Sequence, residues 1–499
     1  MDTSNLYTQY KATLQKIADV KYASAVLQWD QETYLPAKGN EIRGRQIATL
    51  NELAHEKFTG EEFGVLLNEL INKDGLTSAE KRNAELSLYD YNKNKKLPSA
   101  FVRQMSEAVN KSFHAWIQAR KENSFSIFQQ PLQEIILLKK QEADLLGYET
   151  HPYNALMNDY DRSLTVDTVD TLFTSLKPQL LELLQKINTE PPVVDSFLHQ
   201  HFDKKQQWKF GIEILKRMHF DFEAGRQDIS EHPFTTNFNS NDVRITTRIN
   251  ENDFANMLWS CIHEGGHALY EQGLPESEYG LPLGEYCSLS IHESQSRLWE
   301  NCIGRGEAFW QHNYPLLQKY FPAQLKNITG QQFYKAINQV KPSLIRTEAD
   351  EVTYHFHVMI RYEIEKMLIE GSIAAKDIPA CWNEKYKKYL GVTVPDDKQG
   401  CLQDVHWSHG SFGYFATYSI GSLYAAQIYS AISSEISSLN TDISVGNLQP
   451  VLDWLKLHIY DYGRFYNSEE LCEKATGQKL NAQHFINYAT AKFQNIYSG

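Results

Sequence analysis

The five residues His263-Glu264-Gly265-Gly266-His267 place two imidazoles and a carboxylate at a spacing that can bind and use a metal ion. On an α-helix, positions i and i+4 lie one above the other on the same face. Both rings can then point at a single ion, at Zn–N distances of about 2.0–2.1 Å. Glu264 is offset around the helix, which suits a base beside an activated water better than a ligand. That is the arrangement for hydrolysing a peptide bond.

Catalytic zinc usually takes three protein ligands and leaves one position open, so a third ligand must come from elsewhere. Tyr286–Trp299 is helical in pattern, and its Glu293 lies 26 positions beyond His267 (293 − 267). The Gly/Pro-rich stretch Gly273–Gly284 leaves room for an antiparallel return. Two alternatives stand beside Glu293. His292 is its neighbour, but points about 100° away around the helix. Glu300, seven residues on, shares roughly the same face as Glu293.

The elements that must position these residues are legible too. Over Asn250–Gly273, Phe254, Met257, Leu258, Cys261, Ile262, Ala268 and Leu269 recur at helical spacing. Asn250 and Asn252 are candidate N-caps, and Gly273-Leu-Pro is a stop signal. Gly265 and Gly266 each cost about 1 kcal/mol relative to Ala inside a helix. A pair of them implies that something approaches the backbone closely there. Immediately upstream, Val243, Ile245, Thr247 and Ile249 alternate with Arg244, Thr246 and Arg248, which predicts a strand over 242–249. A strand edge beside the metal helix is a natural place for a peptide to add as an extra strand. Elsewhere helical periods dominate, over 4–27, 37–56, 60–72, 77–95, 99–122, 126–146, 166–188, 195–201 and 203–219. There is no internal repeat and no low-complexity tract.

The motif His263–His267 followed by His292-Glu293-Ser294-Gln295-Ser296 resembles the carboxypeptidase Taq family of metallocarboxypeptidases. So do Asp242-Val-Arg244-Ile-Thr246, Ile345-Arg346-Thr347-Glu348-Ala349-Asp350 and Gly400-Cys-Leu-Gln403-Asp404-Val-His406-Trp407. Leu27–Thr33 and the block from Gly413-Tyr414-Phe415 to Gly421 fit as well. The resemblance implies a largely helical gluzincin-type fold with a small β-sheet beside the metal helix and a deep substrate groove. It further implies one zinc or cobalt ion per chain, a homodimer, and release of C-terminal amino acids from peptides.

An exopeptidase of this kind needs a cation for the free α-carboxylate of its substrate, and the planar fork of arginine suits that group. Arg346, at the start of a helical pattern running Thr347–Glu370, is the first choice, and Arg244 on the strand is the second. A structural salt bridge competes at Arg346, since Glu348, Asp350 and Glu351 are close in sequence. Donors are also needed for the developing oxyanion. In the block His406–Tyr418, His406 and Tyr414 are favoured, with His409 and Tyr418 behind them.

Composition sets the frame. The chain has 499 residues, 42% of them hydrophobic, enough for a large core in a single lobed helical catalytic domain spanning 1–499. Its lobes are expected as a helical part (1–230), a part with strand, metal helices and active-site motifs (231–430), and C-terminal helices (431–499). A net charge of −13 disfavours nucleic acid or an anionic membrane as partner. No stretch approaches the roughly 18 apolar residues of a membrane span, and the N-terminus does not read as a secretory signal. Six scattered cysteines without CxxC pairs point to buried thiols in the cytoplasm. The reading is therefore a zinc metallocarboxypeptidase with Glu264 as general base. A zinc endo-oligopeptidase of similar build and a non-catalytic zinc-containing binding protein are the alternatives.

Overall fold

Helical periodicity in the sequence becomes helix almost wherever it occurs. In the computed structural model, which describes residues 2–498, helices span Thr3–Thr33, Asn40–Thr59, Glu61–Ile71, Ser78–Lys95, Ser99–Glu122, Ser126–Leu146, Val166–Ile187 and Lys204–Arg217. The expected helix at 195–201 is only a 3₁₀ turn, Ser196–His199. The chain forms two compact units. One comprises the residues up to Lys95, Val194–Ile337 and Ile428–Lys479; the other comprises Lys96–Val193, Asn338–Gln427 and the residues from Leu480 on.

In the first unit, the only sheet among the described residues has three strands, β1 (Gly225–Ile229), β2 (Thr235–Asn239) and β3 (Asp242–Thr247), in the order β1-β3-β2. β1 runs parallel to β3, and β2 forms an antiparallel hairpin with it. The strand read from the sequence is therefore central and paired on both sides, not an edge. It is buried accordingly: Val243, Ile245, Thr246 and Thr247 are all inaccessible. The strand beside the metal helix with an unpaired side is β2, whose polar Thr-Thr-Asn-Phe-Asn carries little strand signal.

The metal helix spans Phe254–Gly273 and packs against β2, β3 and the helix Lys204–Arg217. Its cap is Asp253, which accepts a hydrogen bond from the Ala255 N–H at 3.1 Å. Asn250, one of the two expected caps, instead closes the preceding turn by accepting from the Asn252 N–H. Met257, Leu258 and Ile262 are fully buried, worth about 1.5–3 kcal/mol each. Phe254 joins Phe202, Phe210 and Phe321 in an aromatic cluster at one end. A second core lies among the N-terminal helices, where Leu6, Tyr10, Leu14 and Ile17 meet Phe63, Leu67, Leu70 and Tyr91.

The glutamate helix, Leu289–Arg297, is capped by Ser288, whose hydroxyl accepts from the Ile291 N–H. It crosses the metal helix at Gly266. A Cβ on Gly266 would lie 2.8 Å from the Gln295 carbonyl oxygen and 2.9 Å from Ser296 Cα. The close approach inferred from the glycines is thus a backbone-to-backbone contact. Gly265 faces the flexible ends of Leu215 and Met218 instead. Beyond Arg297 the helix continues as a π-helical segment, Leu298–Gly304, a rare turn often found at functional sites.

In the second unit the central helix is Tyr354–Glu370, buried around most of its circumference. It starts seven residues later than the sequence predicts. Asp350 is the reason: its carboxylate accepts from the Val352 and Thr353 N–H groups, holding a turn where a helix would otherwise propagate. Arg346 consequently sits in a 3₁₀ turn, Arg346–Glu348. From this helix, Glu365 accepts from the Tyr153 hydroxyl, the Trp407 indole and the Gly413 N–H, and so anchors the loop that carries His406.

The two glycines make a paired prediction. Gly266→Ala gains about 1 kcal/mol of helix propensity but forces two backbones apart, so a net loss of about 1–3 kcal/mol is expected, together with weakened metal binding. Gly265→Ala meets only yielding side-chain ends and should be nearly neutral. Thermal unfolding and metal titration of both variants check this.

Candidate metal centre

His263 and His267 project from one face of the metal helix toward Glu293. The Nε2 atoms of His263 and His267 lie 3.6 and 3.5 Å from the same carboxylate oxygen, Glu293 Oε2. The three ligand atoms fall within 4.8 Å of one another. These separations are long for hydrogen bonds. They are close to the roughly 3.3–3.4 Å between ligands in a four-coordinate shell of about 2.0–2.1 Å radius. The donor set suits a metal ion.

Both alternative ligands are committed elsewhere. His292 turns its Nε2 to Glu271 at 2.9 Å, and its ring stacks on His267 with centroids 4.4 Å apart. Glu300 does not follow the Glu293 stripe, because the wider turn of the π segment displaces it. Its Oε2 lies 2.9 Å from Nδ1 of His263, the ring nitrogen facing away from Glu293. That contact fixes the tautomer that leaves Nε2 with a lone pair for a metal. Arg297 Nε donates to Glu293 Oε1 at 2.7 Å, its Nη1 donates to Glu300 Oε2, and Arg305 Nη2 donates to Glu300 Oε1.

The charges reinforce the geometry. Glu264, Glu293 and Glu300 are buried; Arg297 pairs with Glu293 and Glu300 and Arg305 with Glu300, while Glu264 bonds the Thr235 hydroxyl. Burial opposes ionisation of Glu293 and Glu300, yet Arg297 and His263 hold both well below the usual carboxylate range. Burial also disfavours a charged His263, but Glu293 and Glu300 outweigh it and raise its pKa. His267, by contrast, is pushed down to about 3 by burial and by His292.

Glu264 lies off the ligand triad. Its Oε2 accepts a hydrogen bond of 2.6 Å from Thr235 on β2, and burial lifts its pKa above the ordinary range. Thr235 escaped the sequence reading, because only hairpin pairing brings it to the metal helix. Arg297 did carry a signal, since it lies four residues from Glu293 on one helix. Arg244 lies on β3, held by two hydrogen bonds to Asp242 and stacked between Trp29 and Phe238, which ties the Leu27–Thr33 block to the strand motif.

In the second unit, Arg346, His406, Tyr414 and Tyr418 come together. The Arg346 guanidinium sits 4.6 Å above the Tyr418 ring, Tyr418 hydrogen-bonds His406 Nε2 at 3.1 Å, and the His406 and Tyr414 rings are 5.2 Å apart. His409 does not join them; it is exposed and packs on Phe113. The sequence-neighbour acids do not hold Arg346. Asp404 does: its Oδ1 pairs with Nε and Nη2 of Arg346, each at 2.9 Å, and its Oδ2 accepts from Arg361 Nε at 2.6 Å. One carboxylate thus serves two buried arginines and leaves a surplus positive charge. Burial and Arg346 push His406 down to about 3, so it is a neutral ring.

Two outcomes follow from these networks. Glu300→Gln should weaken metal binding about 10–100-fold by releasing His263, read by competition with a chelating dye. Burial works against ionisation of Asp404, but Arg361 and Arg346 more than offset it, so its folded pKa is depressed. Its contribution is therefore fully present above the unfolded value of about 4 and is lost as pH falls below that. Asp404→Asn should remove about 3–5 kcal/mol at neutral pH and flatten the acid limb of a stability–pH profile.

The description "Carboxypeptidase Taq (M32) metallopeptidase" matches residues 9–493. Carboxypeptidase 1 of Bacillus subtilis is 36% identical over 486 residues, 97% of each chain. The solved structure named "The Structure of CHT" superposes with a TM-score of 0.96 at 57% identity, covering 98% of this chain and 99% of that one. The M32 carboxypeptidase of Deinococcus radiodurans superposes with a TM-score of 0.97 at 36% identity, covering 99% and 100%. With a family match over nearly its whole length and a mainly helical fold shared with these carboxypeptidases, the chain belongs to the carboxypeptidase Taq (M32) family of metallopeptidases.

Proposed function

We propose that this protein is a zinc metallocarboxypeptidase that releases C-terminal amino acids from peptides. The observation that carries the reading is the convergence of His263 Nε2 and His267 Nε2 on Glu293 Oε2, with the carboxylate of Glu264 beside them. A zinc ion held by those three residues lowers the pKa of water and polarises a carbonyl, and cobalt can supply the same chemistry. Glu264 takes a proton from the attacking water and returns it to the departing amine. Burial raises its basicity, and the Thr235 hydroxyl orients it.

Recognition of a free C-terminus falls to Arg346. Two guanidiniums sharing Asp404 leave a net positive charge in a buried place, and a carboxylate is the anion whose shape matches the fork. Arg244, chelated by Asp242, is the secondary candidate. Neutral His406 and Tyr414 are the oxyanion donors, supported by Tyr418; His409 stands further from this role. The unpaired side of β2 is the place for a substrate backbone to add as a strand. The family resemblance supports a homodimer. The six cysteines are thiols, five of them buried, which supports the reading of a reducing cytoplasm, and no helix among the described residues is long and apolar enough to cross a membrane.

Glu264→Gln should lower kcat by about 10²–10⁴-fold while metal content, read by elemental analysis, stays at one ion per chain. Substantial residual turnover would remove Glu264 as the base. A peptide with a free C-terminus should be shortened from that end, its C-terminal amide left intact, and a chelator should stop the reaction until zinc is restored. Cleavage of the amide form at an internal bond would favour an endo-oligopeptidase.

A further inference from the structure

The two oxygens of Glu293 have different surroundings. Oε2 faces the Nε2 atoms of His263 and His267, with the Ser296 hydroxyl 3.0 Å away. Oε1 receives the Arg297 Nε–H at 2.7 Å, a charge-assisted hydrogen bond of the strong kind. The other arm of the same guanidinium reaches Glu300 Oε2 at 3.2 Å, the atom that holds His263 Nδ1. One side chain therefore spans the non-facing oxygen of one candidate ligand and the orienting acid of another. Glu300 is held from its far side by Arg305, whose Nη1 donates to the Ile337 carbonyl and whose guanidinium stacks 3.8 Å above the Trp259 ring. Arg297 has an anchored partner on each side.

We infer that Arg297 is a positioning residue that divides the oxygens of Glu293, holding Oε1 so that Oε2 alone is offered to the ion. The inference rests on the reading of His263, His267 and Glu293 as ligands. Carboxylates bind metals through one oxygen or both. Binding through both would fill the position that a catalytic site keeps open. Helix geometry makes the division possible, since Arg297 lies four residues after Glu293 and three before Glu300 on one continuous helix. Lysine cannot replace it. An ammonium is a point charge without the fork, so it can serve one carboxylate but not both in this geometry.

The test uses cobalt(II) as the probe, because its visible absorption is much stronger in a four-coordinate site than in a five- or six-coordinate one. Full-length wild type, Arg297→Met, Arg297→Lys and Glu293→Gln are loaded with cobalt, and stoichiometry, spectrum and affinity are measured without any substrate. Arg297→Met should still bind one ion but with a several-fold weaker visible band, and with affinity shifted by about 10–100-fold. Arg297→Lys should lie between it and wild type. A wild-type spectrum in Arg297→Met overturns the inference whatever the affinity, and if that variant does not fold, a wild-type spectrum in Arg297→Lys does so. Glu293→Gln separates the underlying reading: wild-type stoichiometry and spectrum there mean that the ion sits elsewhere.

Discussion

Two helices touch backbone to backbone at Gly266, and the candidate metal centre depends on that contact. The metal helix can align His263 and His267 by its own geometry, but it cannot supply a third ligand on the same side. The glutamate helix brings Glu293 to face both rings only because no side chain intervenes where the Gln295 carbonyl and Ser296 Cα meet Gly266. Packing around the metal helix serves the same end. The phenylalanine cluster grips its N-terminal end, Tyr460 fills the space beside Gly273, and β2 and β3 lie along one flank. Interiors packed this densely transmit strain, so a methyl group at the crossing displaces Glu293 rather than being absorbed.

Charge shapes both units, with opposite sign. In the first, Arg297 and Arg305 pair with Glu293 and Glu300, and the buried Glu264 is left with only the Thr235 hydroxyl and no guanidinium among its bonds. In the second, Arg346 and Arg361 exceed Asp404 by one positive charge. Uncompensated buried charge is costly, so each place favours a partner that completes it. For the first, Glu293 and Glu300 raise the affinity of His263 for a proton. For the second, the demand matches an anion, and the depressed basicity of His406 keeps the neighbouring ring neutral.

The sequence and the structure agree best where the information is local. The metal helix, the helix bearing Glu293 and most N-terminal helices follow from apolar periodicity, because a helix shows its buried face every three or four residues. Its ends were less legible: Asp253, not Asn250 or Asn252, caps the metal helix, and the Asp350 turn delays the helix after Arg346. Strand β3 was readable from its alternation, but not its central position, since pairing partners lie outside the window in which alternation is seen. β1 and β2 were missed because their short polar segments carry no period.

By itself the sequence determined the chemistry on offer: two imidazoles four residues apart, a carboxylate between them, and a short menu of third ligands. Spacing along one helix is a local property, so it survives without knowledge of the fold. Tertiary structure set those candidates apart. It turned His292 to Glu271, carried Glu300 to the far nitrogen of His263 through a π turn, and left Glu293 facing both rings. It also paired Arg346 with Asp404, 58 residues away, instead of the acids beside it in sequence. Partners of that kind are chosen by which helices cross and how far apart their axes lie, and no linear spacing encodes that.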